Sequence, residues 1–301
     1  MIKVTRGKIA APAKVVIYGV EGIGKSTLAS QFPNPVFLDT EDGTRHLDVA
    51  RLRCRDWQSL VTAVASLAVD RQGFGTVVID SIDWAERACG QKVCKDHGKK
   101  SLEDWPYRAG DRHVASEFDT LLDKCDSMAD AGLNVVLVAH SKVVRTSPPD
   151  QTEGFDRWEL DLSKQTAPKV KEWADAVLFL NYKMRVIEGG DGKHKAIGGK
   201  DRLIFAERTA AYDAKNRHGL PAEVPMSFES LAPLFSSPEL PLFDRIADYI
   251  GKAATVRTLG TIGDKIDGYV STGELTPVQE QLLRDAIAER HNEIEPAEAN
   301  A

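Results

Sequence analysis

No apolar run in the sequence approaches the roughly 20 residues that a helix needs to cross a bilayer, and its first residues do not resemble a secretory signal. Only four of the 301 residues are cysteine, which is too few for a disulfide framework and favours a reducing compartment. Hydrophobic residues make up 42% and charged residues 28%, as in ordinary globular proteins. The composition therefore argues against membrane proteins, fibres, disordered chains and secreted disulfide proteins, and it predicts a cytoplasmic protein without a membrane partner.

The cysteines raise the question of a metal site. Cys89, Cys94 and His97 stand close together in the sequence, and His113 offers a fourth ligand. Their spacing matches none of the common zinc-binding pairs. We therefore favour semi-buried thiols, because free cysteine is usually buried, and a partial zinc site remains the alternative.

Charge is divided unevenly along the chain. The formal net charge of −6 gives no support by itself to nucleic-acid binding. Residues 222–301 carry 14 acidic and 6 basic side chains, whereas residues 1–221 carry 31 acidic and 33 basic ones. This shift predicts two units with different tasks, which meet after residue 221.

Short β-branched runs alternate with helical patterns through most of the first unit. The patterns predict strands at 14–19, 35–39, 76–80, 134–140 and 177–180, and helices at 24–31, 57–69, 111–131 and up to 174. Such alternation predicts an α/β fold with a mostly parallel sheet that helices cover on both faces.

The remaining segments give weaker signals. Residues 142–168 are polar and aperiodic, which predicts a long loop. Glycine-rich turns at 189–192 and 198–201, followed by a strand from residue 203, predict an antiparallel meander on one sheet edge. From residue 240 the pattern is helical, with a helix beginning at Thr276-Pro277 and a frayed acidic tail at 293–301.

Residues 19–27 read Gly-Val-Glu-Gly-Ile-Gly-Lys-Ser-Thr and lie between the first predicted strand and helix. They match the phosphate-binding loop G-x-x-x-x-G-K-[ST], in which glycines let backbone N–H groups face phosphate oxygens at a helix N-terminus. Lys25 is expected to reach the terminal phosphates of ATP, and Ser26 to bind Mg²⁺. The predicted nucleotide-binding set is Gly19, Gly22, Ile23, Gly24, Lys25, Ser26 and Thr27. A glycine-rich turn that contains a lysine by chance is the alternative.

Carboxylates follow two predicted strands at the C-terminal edge of the sheet. Asp80 ends its strand, where an acid that orients Mg²⁺ is expected, whereas Asp83 offers a helix cap. In the acidic turn 39–42, Glu41 is the predicted residue that polarises the attacking water, with a helix cap or solvated turn as the alternative. His140 ends the fourth strand and is expected to face the terminal phosphate; a satisfied strand-end histidine is its alternative.

The order of these motifs resembles that of RecA-like recombinases over residues 12–221. Residues 39–41 stand where that family has its catalytic glutamate, and residues 79–81 where it has its magnesium strand. Residues 101–107 are similar to core-only recombinases of the Sak type, which phages encode. The resemblance implies a DNA-dependent ATPase that binds and anneals single-stranded DNA as a homo-oligomer in the host cytoplasm, with a single-strand DNA-binding protein as a further partner.

The resemblance also implies roles for basic and aromatic residues. Lys215 and Arg217 correspond to a basic pair that reaches the nucleotide of a neighbouring subunit. Two DNA-contacting loops would fall near 92–112 and 141–169. Their candidate contacts are Lys92, Lys95, Lys99, Lys100, Lys142 and Arg145 for phosphates, and Trp105 and Tyr107 for base stacking. Basic and acidic residues balance in the second loop, so a solvated surface is its alternative.

Two departures from that family leave the mode of oligomerisation open: only about a dozen residues precede the first strand, and the acidic C-terminal part has no counterpart.

Two other functions also fit a phosphate-binding loop. One is a small-molecule or nucleotide kinase, in which residues 95–112 close over the acceptor. The other is a binding module that nucleotide stabilises without turnover. The long segment after His140 favours the recombinase, because kinases usually close lids over the nucleotide itself.

Overall fold

The computed structural model describes residues 11–147, 153–188, 194–235 and 242–298. The chain forms two compact units, Met1–Ser236 and Ser237–Ala301. The boundary lies after Ser236 rather than after residue 221, because a strand at Glu223–Pro225 hydrogen-bonds to the sheet of the first unit. None of the helices in the described ranges combines the length and the apolar composition that crossing a membrane requires.

Within the described ranges, one ten-stranded sheet forms the first unit. Its strands are β1 (Lys14–Gly19), β2 (Pro35–Asp39), β3 (Ala50–Arg53), β4 (Thr76–Asp80), β5 (Asn134–Thr146), β6 (Phe155–Leu160), β7 (Ala176–Glu188), β8 (His194–Phe205), β9 (Lys215–Asn216) and β10 (Glu223–Pro225). Their order is β10-β8-β7-β1-β5-β4-β2-β3, while β6 pairs with β5 and β9 with β7. The adjacent strands along the row β7-β1-β5-β4-β2-β3 run parallel, and β8 and β10 add an antiparallel edge beside β7. The predicted fold class is confirmed.

The helices occur mostly between the strands and at the C-terminus. They are α1 (Lys25–Ala29), α2 (Trp57–Val69), α3 (Ile82–Asp96), α4 (Ala109–Asp130), α5 (Thr166–Trp173), α6 (Phe228–Leu231), α7 (Leu242–Lys252), α8 (Val256–Ser271) and α9 (Pro277–Glu298). The predicted helix at 57–69 has the observed bounds, and α2 begins with a capping box in which the Asp56 carboxylate accepts the Ser59 N–H.

The sheet is buried on both faces, and β1 shows why. Successive side chains of a strand point to opposite faces. Val16 and Tyr18 therefore pack with residues of α2, α3, α4 and α5, whereas Val15 and Ile17 pack with residues of α1 and α6. A strand covered on both faces has no polar side to alternate with, which explains its continuous apolar run.

The register of the parallel strands brings their C-terminal ends to one edge. Gly19 of β1 lies opposite His140 of β5, and β5 separates β1 from β4. Asp80 of β4 lies opposite Asp39 of β2. Four neighbouring strand ends therefore meet at the edge where the phosphate-binding loop begins.

The predicted loop over 142–168 is wrong. Strand β5 continues past His140 to Thr146, and β6 pairs with it antiparallel from Leu160 back to Phe155; α5 then begins at Thr166. This extension carries polar and charged residues on both sides, so no alternation of apolar and polar residues reveals it. Residues 148–152 lie outside the described residues.

Several other boundaries differ from the sequence prediction. The structure adds β3 and α3, and α3 occupies the beginning of the predicted DNA loop near 92–112. The predicted turn at 198–201 lies inside β8, and the one at 189–192 falls outside the described residues. The tail predicted at 293–301 is helical through Glu298, because α9 continues to that residue.

In its described residues, 242–298, the second unit consists of the three helices α7, α8 and α9. Its core contains Ile246 and Ile250 of α7, Leu259 and Ile266 of α8, and Leu283 of α9. The predicted helix start at Thr276-Pro277 is confirmed: the Thr276 hydroxyl accepts the backbone N–H of Gln279 at 3.3 Å, which caps the first turn.

Candidate nucleotide-binding site

The phosphate-binding loop connects β1 to α1, and its glycines are required for two different reasons. A Cβ atom at Gly19 would lie 2.2 Å from the Leu180 carbonyl oxygen, so β1 and β7 approach too closely for a side chain. Gly22 and Gly24 have φ angles of 72° and 104°, in the left-handed region that glycine adopts without a steric penalty. The loop therefore turns at the N-terminus of α1 as the motif predicts.

Lys25 is the first residue of α1 and is only 7% exposed. Its Nζ donates hydrogen bonds to the carbonyl oxygens of Gly19 and Val20, both at 3.1 Å. Burial lowers the pKa of Lys25, and the carboxylates of Asp80, Asp83 and Glu41 act against that shift. A buried ammonium group held on the loop's own carbonyls is placed to bind an anion that enters the loop.

Asp80 and Ser26 meet beside this lysine. The Asp80 side chain is 3% exposed, and burial raises the pKa of its carboxyl group to about 6, although a hydrogen bond with Ser26 lowers it. A hydroxyl and a buried carboxylate are oxygen ligands of the kind that Mg²⁺ takes from P-loop proteins, together with phosphate oxygens and water. The cradle formed by Gly22 and Gly24, the buried lysine and this oxygen pair fit a magnesium–nucleotide ligand.

Asp39 organises the acidic turn that follows β2. Its carboxylate accepts the backbone N–H groups of Glu41, Asp42, Gly43 and Thr44 at 2.6–3.3 Å. Asp39 is thereby occupied as a structural acceptor. The turn that it shapes presents the next acid, Glu41, at the sheet edge.

Glu41 lies against the end of β4. Its Oε2 accepts a hydrogen bond from the Ser81 hydroxyl at 3.3 Å, while Thr40 and Ser81 exchange two further hydrogen bonds of 2.7 and 2.8 Å. The peptide bond between Asp80 and Ser81 is cis. Glu41 is not the cap of the next helical turn, since Gly43 occupies that position. Glu41 thus contacts Ser81, the residue that follows Asp80 in the chain.

His140 is held by Asp83, a contact that the sequence did not reveal. The Asp83 carboxylate accepts the backbone N–H of His140 and meets its Nδ1, both at 3.0 Å. This contact raises the pKa of His140. Burial would raise the pKa of Asp83, but its hydrogen bonds with His140 outweigh that effect and lower it. Asp83 was predicted to cap α3, but Ser81 occupies the cap position.

The other predicted nucleotide ligands occupy different environments. Ile23 is fully buried in the core, so only its backbone can face a ligand, and Thr27 is exposed on α1.

Arg202 of β8 is a residue near the loop that was not predicted. A Cβ atom at Gly24 would lie 3.0 Å from its Nη1, so this guanidinium stands over the loop. No motif marks Arg202, because β8 reaches the loop only through the order of strands in the sheet.

Residues 11–218 match the family model of the AAA domain, which covers more than half of the chain. The chain belongs to the AAA domain family. It is therefore a P-loop NTPase domain, and members of this group bind nucleotide and Mg²⁺ through the loop described above. No curated protein matches the sequence.

Among solved structures, the AAA domain is similar to the flagellar accessory protein FlaH from Methanocaldococcus jannaschii. The two share 11% sequence identity with a TM-score of 0.33, and the match covers 69% of this chain and 89% of FlaH. This likeness is too weak to support an argument about function.

Lys215 and Arg217, predicted to act on a neighbour's nucleotide, contact their own chain in this structure. The Lys215 Nζ donates to the carbonyl oxygens of Lys171, Glu172 and Ala174 at the end of α5, at 2.5–3.0 Å. Arg217 pairs with Asp175 at 2.9 Å. Their role across a subunit boundary stays a prediction.

The first predicted DNA segment lies on α3 and the turns that follow. Lys92 forms ion pairs with Glu117 at 2.5 Å and Asp96 at 3.2 Å, so its charge is locally balanced. Lys95, Lys99 and Lys100 are exposed. These three lysines therefore form the more accessible part of the predicted phosphate contacts.

The two aromatic residues of that segment differ in availability. Trp105 is half-buried, with its ring near those of His97 and His113 and the Lys99 ammonium 5.8 Å from its centroid. Tyr107 is 96% exposed. Only Tyr107 presents most of its ring for stacking.

Lys142 and Arg145, the candidates of the second segment, lie on the extension of β5. The Lys142 Nζ donates to the Leu162 carbonyl at 2.5 Å and lies 3.5 Å from Asp161. Arg145 lies 3.6 Å from Asp156 of β6. Both are paired with acids across the hairpin, as the charge balance of the sequence suggested.

The four cysteines are free and buried. His97 and His113 lie ring to ring, with centroids 4.8 Å apart. In the part of the chain that the structure describes, no group of three or more histidine, cysteine, aspartate or glutamate side chains is arranged to hold a metal ion.

Proposed function

We propose that this AAA domain hydrolyses ATP and that nucleotide controls its binding to single-stranded DNA, as in the phage annealing proteins that its motifs resemble. One observation carries the ATPase part of the proposal. Lys25, the Ser26–Asp80 pair, Glu41 and the His140–Asp83 pair come from four neighbouring strand ends and converge on one edge.

When bound, the magnesium–ATP complex supplies the phosphoryl group and neutralises charge on its oxygens. Lys25 binds the phosphates through Nζ, and Ser26 and Asp80 are the residues that would hold the metal. Glu41, fixed by Ser81 through Oε2, leaves its Oε1 to accept a proton from a water molecule. These are the groups that hydrolysis requires.

The sheet offers a route from the nucleotide site to the predicted DNA surface. Strand β5 runs without interruption from His140, beside the phosphate loop, to Lys142 and Arg145 in the hairpin with β6. A change in the contacts of His140 would therefore alter the conformation of this hairpin. Exposed Lys95, Lys99 and Lys100 add phosphate contacts whose strength falls with salt.

The resemblance to RecA-like recombinases supports a homo-oligomer in which Lys215 or Arg217 reaches a neighbour's nucleotide. In the single chain these side chains bind α5 and Asp175. The trans role therefore requires that at least one of them exchange its present contact for one across the subunit boundary.

Hydrolysis of ATP with and without single-stranded DNA tests this function. We expect DNA to raise the rate and Lys25→Ala to abolish it, because the buried ammonium group holds the phosphates. Lys265→Ala, which removes an exposed lysine of the second unit, is the matched control and should retain the wild-type rate. A Lys25→Ala protein that still turns over ATP at the wild-type rate would contradict the assignment.

The same measurements separate the two other functions. Phosphate transfer to a small acceptor, with no effect of DNA, would identify a kinase. Turnover no higher than background, with nucleotide raising the melting temperature, would identify a binding module that nucleotide stabilises.

A further inference from the structure

Another concave surface includes Glu41 in its lining but no residue of the phosphate-binding loop. We name it the Trp84 cleft, and it has a volume of about 290 Å³. Its lining includes the acids Asp39, Glu41 and Asp42, the arginines Arg53, Arg55 and Arg87, and Trp84. Neither the motif nor the resemblance assigned a role to Trp84 or to these three arginines.

Trp84 is unusually exposed for a tryptophan. All five tryptophans lie in the described residues, and the other four are buried or half-buried, whereas Trp84 is 42% exposed. Large aromatic side chains are usually well buried. The Arg87 guanidinium lies 5.0 Å from the Trp84 ring centroid, so a cation already covers part of the ring. The exposed remainder is a platform on which another ring can stack.

Three arginines and three acids line the cleft, but two of the acids are already engaged. Asp39 accepts four backbone N–H groups and Asp42 pairs with Arg45 and Arg53, which leaves exposed guanidinium groups for an anion. Arg53, at the end of β3, pairs with Asp42 at 2.6 Å, and Arg55 follows it as an exposed residue. Arg87 lies 3.8 Å from Asp161, a loose contact. A guanidinium can bind two phosphate oxygens at once and can also stack on a ring. Three of them around one tryptophan match a ligand that alternates phosphates with planar bases.

The cleft is directly connected to the nucleotide site. Trp84 belongs to the first turn of α3, which also contains Asp83, the partner of His140. Ser81, the cap residue of this helix, donates the hydrogen bond that fixes Glu41. A ligand on Trp84 would therefore press on the turn that positions both Glu41 and His140.

We propose that the Trp84 cleft binds single-stranded DNA, with one base stacked on Trp84 and the adjoining phosphates on Arg53, Arg55 and Arg87. This inference rests on the proposed function and adds to it a base-contacting site beside the hydrolytic glutamate. An exposed ring beside exposed guanidinium groups matches the stacking surface and cationic contacts of single-strand binding sites, and a second copy of the chain is the other occupant that the experiments distinguish.

Tryptophan fluorescence tests the stacking directly. Titration of the full chain with oligothymidine should quench the fluorescence of the wild type, and Trp84→Phe should lose most of that quenching. Trp173→Phe is the matched control, because it makes the same substitution at a half-buried tryptophan of α5 that lies outside both predicted DNA segments. The control should keep the quenching. Full quenching in the Trp84→Phe protein would overturn the inference.

Affinity supplies a second readout that does not depend on fluorescence. We expect Trp84→Ala to bind oligothymidine about tenfold more weakly, since stacking on one base supplies a contact of that size. Trp84→Phe should stay within about threefold of the wild type, because phenylalanine still stacks. Equal losses in both variants would indicate a structural role for the tryptophan and would contradict stacking.

The arginines are tested by salt. Arg87→Gln should lower the slope of log affinity against log salt by about 0.7, the value for one phosphate contact to a single strand. Arg284→Gln removes the same charge from a residue of α9 that pairs with Glu280 and Asp267, and it should leave the slope unchanged. An unchanged slope in the Arg87→Gln protein would contradict the phosphate contact.

The outcomes distinguish this inference from the proposed function. If the wild type binds oligothymidine and the Trp84→Ala and Arg87→Gln proteins bind it equally well, the cleft is not the binding site but the proposed function still holds. Wild-type protein that binds no single-stranded DNA would remove both. A variant that changes the sedimentation behaviour of the DNA-free protein, with no change in quenching, would show that the cleft contacts a second copy instead.

Discussion

Asp80 illustrates how one residue of the site opposes folding. Its carboxyl group is buried without a cation in direct contact, and burial raises its pKa from 3.8 to about 6. Between these values the folded state binds more protons than the unfolded state, so the free energy of unfolding falls as pH rises. Above about pH 6 the full penalty is present, on the order of 2–3 kcal/mol for a shift of this size.

Replacing Asp80 should therefore stabilise the nucleotide-free protein. We expect Asp80→Asn to raise the free energy of unfolding by on the order of 2 kcal/mol at pH 7, since the neutral amide avoids the burial of a charge. The gain should shrink toward zero near pH 3, below both pKa values, where the wild-type carboxyl group is largely protonated in both states. Urea unfolding at the two pH values, with a chelator and no nucleotide, measures the difference. A less stable variant at pH 7 would contradict this explanation.

Helix α5 shows how an element can depend on a distant residue. Its last carbonyl groups have no hydrogen-bond donors within the helix. The Lys215 ammonium group donates three hydrogen bonds to carbonyl oxygens at this end. The same lysine is the residue predicted to reach a neighbour's nucleotide. The two roles predict different effects of replacing Lys215: loss of the cap lowers the stability of the single chain, whereas loss of a contact to a neighbouring subunit does not.

If the cap is its role in the single chain, Lys215→Ala should lower the free energy of unfolding by about 1–2 kcal/mol, a usual value for charge-assisted hydrogen bonds at a helix end. Arg217→Ala is the control, because its exposed ion pair with Asp175 is worth at most about 1 kcal/mol. Thermal unfolding compares the two. A Lys215→Ala protein with an unchanged melting temperature but a lower kcat would favour the trans role over the cap.

A buried ion cluster ties the β5–β6 hairpin to the body of the sheet. The Asp213 carboxylate pairs with Arg157 of β6 and Lys171 of α5, both at 2.6 Å. The Asp213 carbonyl also accepts the Tyr18 hydroxyl of β1 at 2.5 Å. Arg157 is only 7% exposed, and its other ion pair, with Glu159 at 3.7 Å, is longer, so Asp213 is its main partner.

Removing Asp213 should be among the more damaging substitutions. Asp213→Ala leaves Arg157 buried without its carboxylate, and we expect a loss of about 3–5 kcal/mol in the free energy of unfolding. Asp161→Ala removes an acid from two longer and more exposed pairs, with Arg87 and Lys142, and should cost less than about 1 kcal/mol. Chemical denaturation of both variants measures the difference. Similar losses in the two proteins would contradict a special role for the cluster.

Some elements could be predicted from the sequence and others could not, for physical reasons. The central strands β1, β2 and β4 form continuous apolar runs because both of their faces are buried, and their predicted bounds are the observed ones. The hairpin of β5 and β6 is charged on both sides, and its pairing depends on contacts such as Arg157 with Asp213, which are far apart in sequence. No local pattern contains that information.

The site follows the same division. The positions of the loop at 19–27 and of Asp80 at the end of β4 could be predicted, because a motif and a strand end mark them, whereas their roles stay predictions. The partnership of Asp83 with His140 could not, since it joins residues 57 positions apart through the order of β4 and β5. Arg202 and Trp84 come to the site in the same way, through the sheet order and the start of α3.

At the scale of the whole molecule, strand order decides what the protein can do. Because β5 lies between β1 and β4, His140 stands between the phosphate loop and Asp80. The strand that ends the nucleotide site then continues into a charged hairpin. The nucleotide site and the proposed polynucleotide surface thus lie on one continuous strand, which is the physical basis that we propose for their coupling.

The most direct test of this coupling is the affinity for single-stranded DNA, measured by salt titration with a non-hydrolysable ATP analogue and without nucleotide. We predict tighter binding with the analogue, a steep loss of affinity with salt, and no effect of the analogue on the Lys25→Ala protein. Wild-type affinity that is the same with and without the analogue would contradict the account.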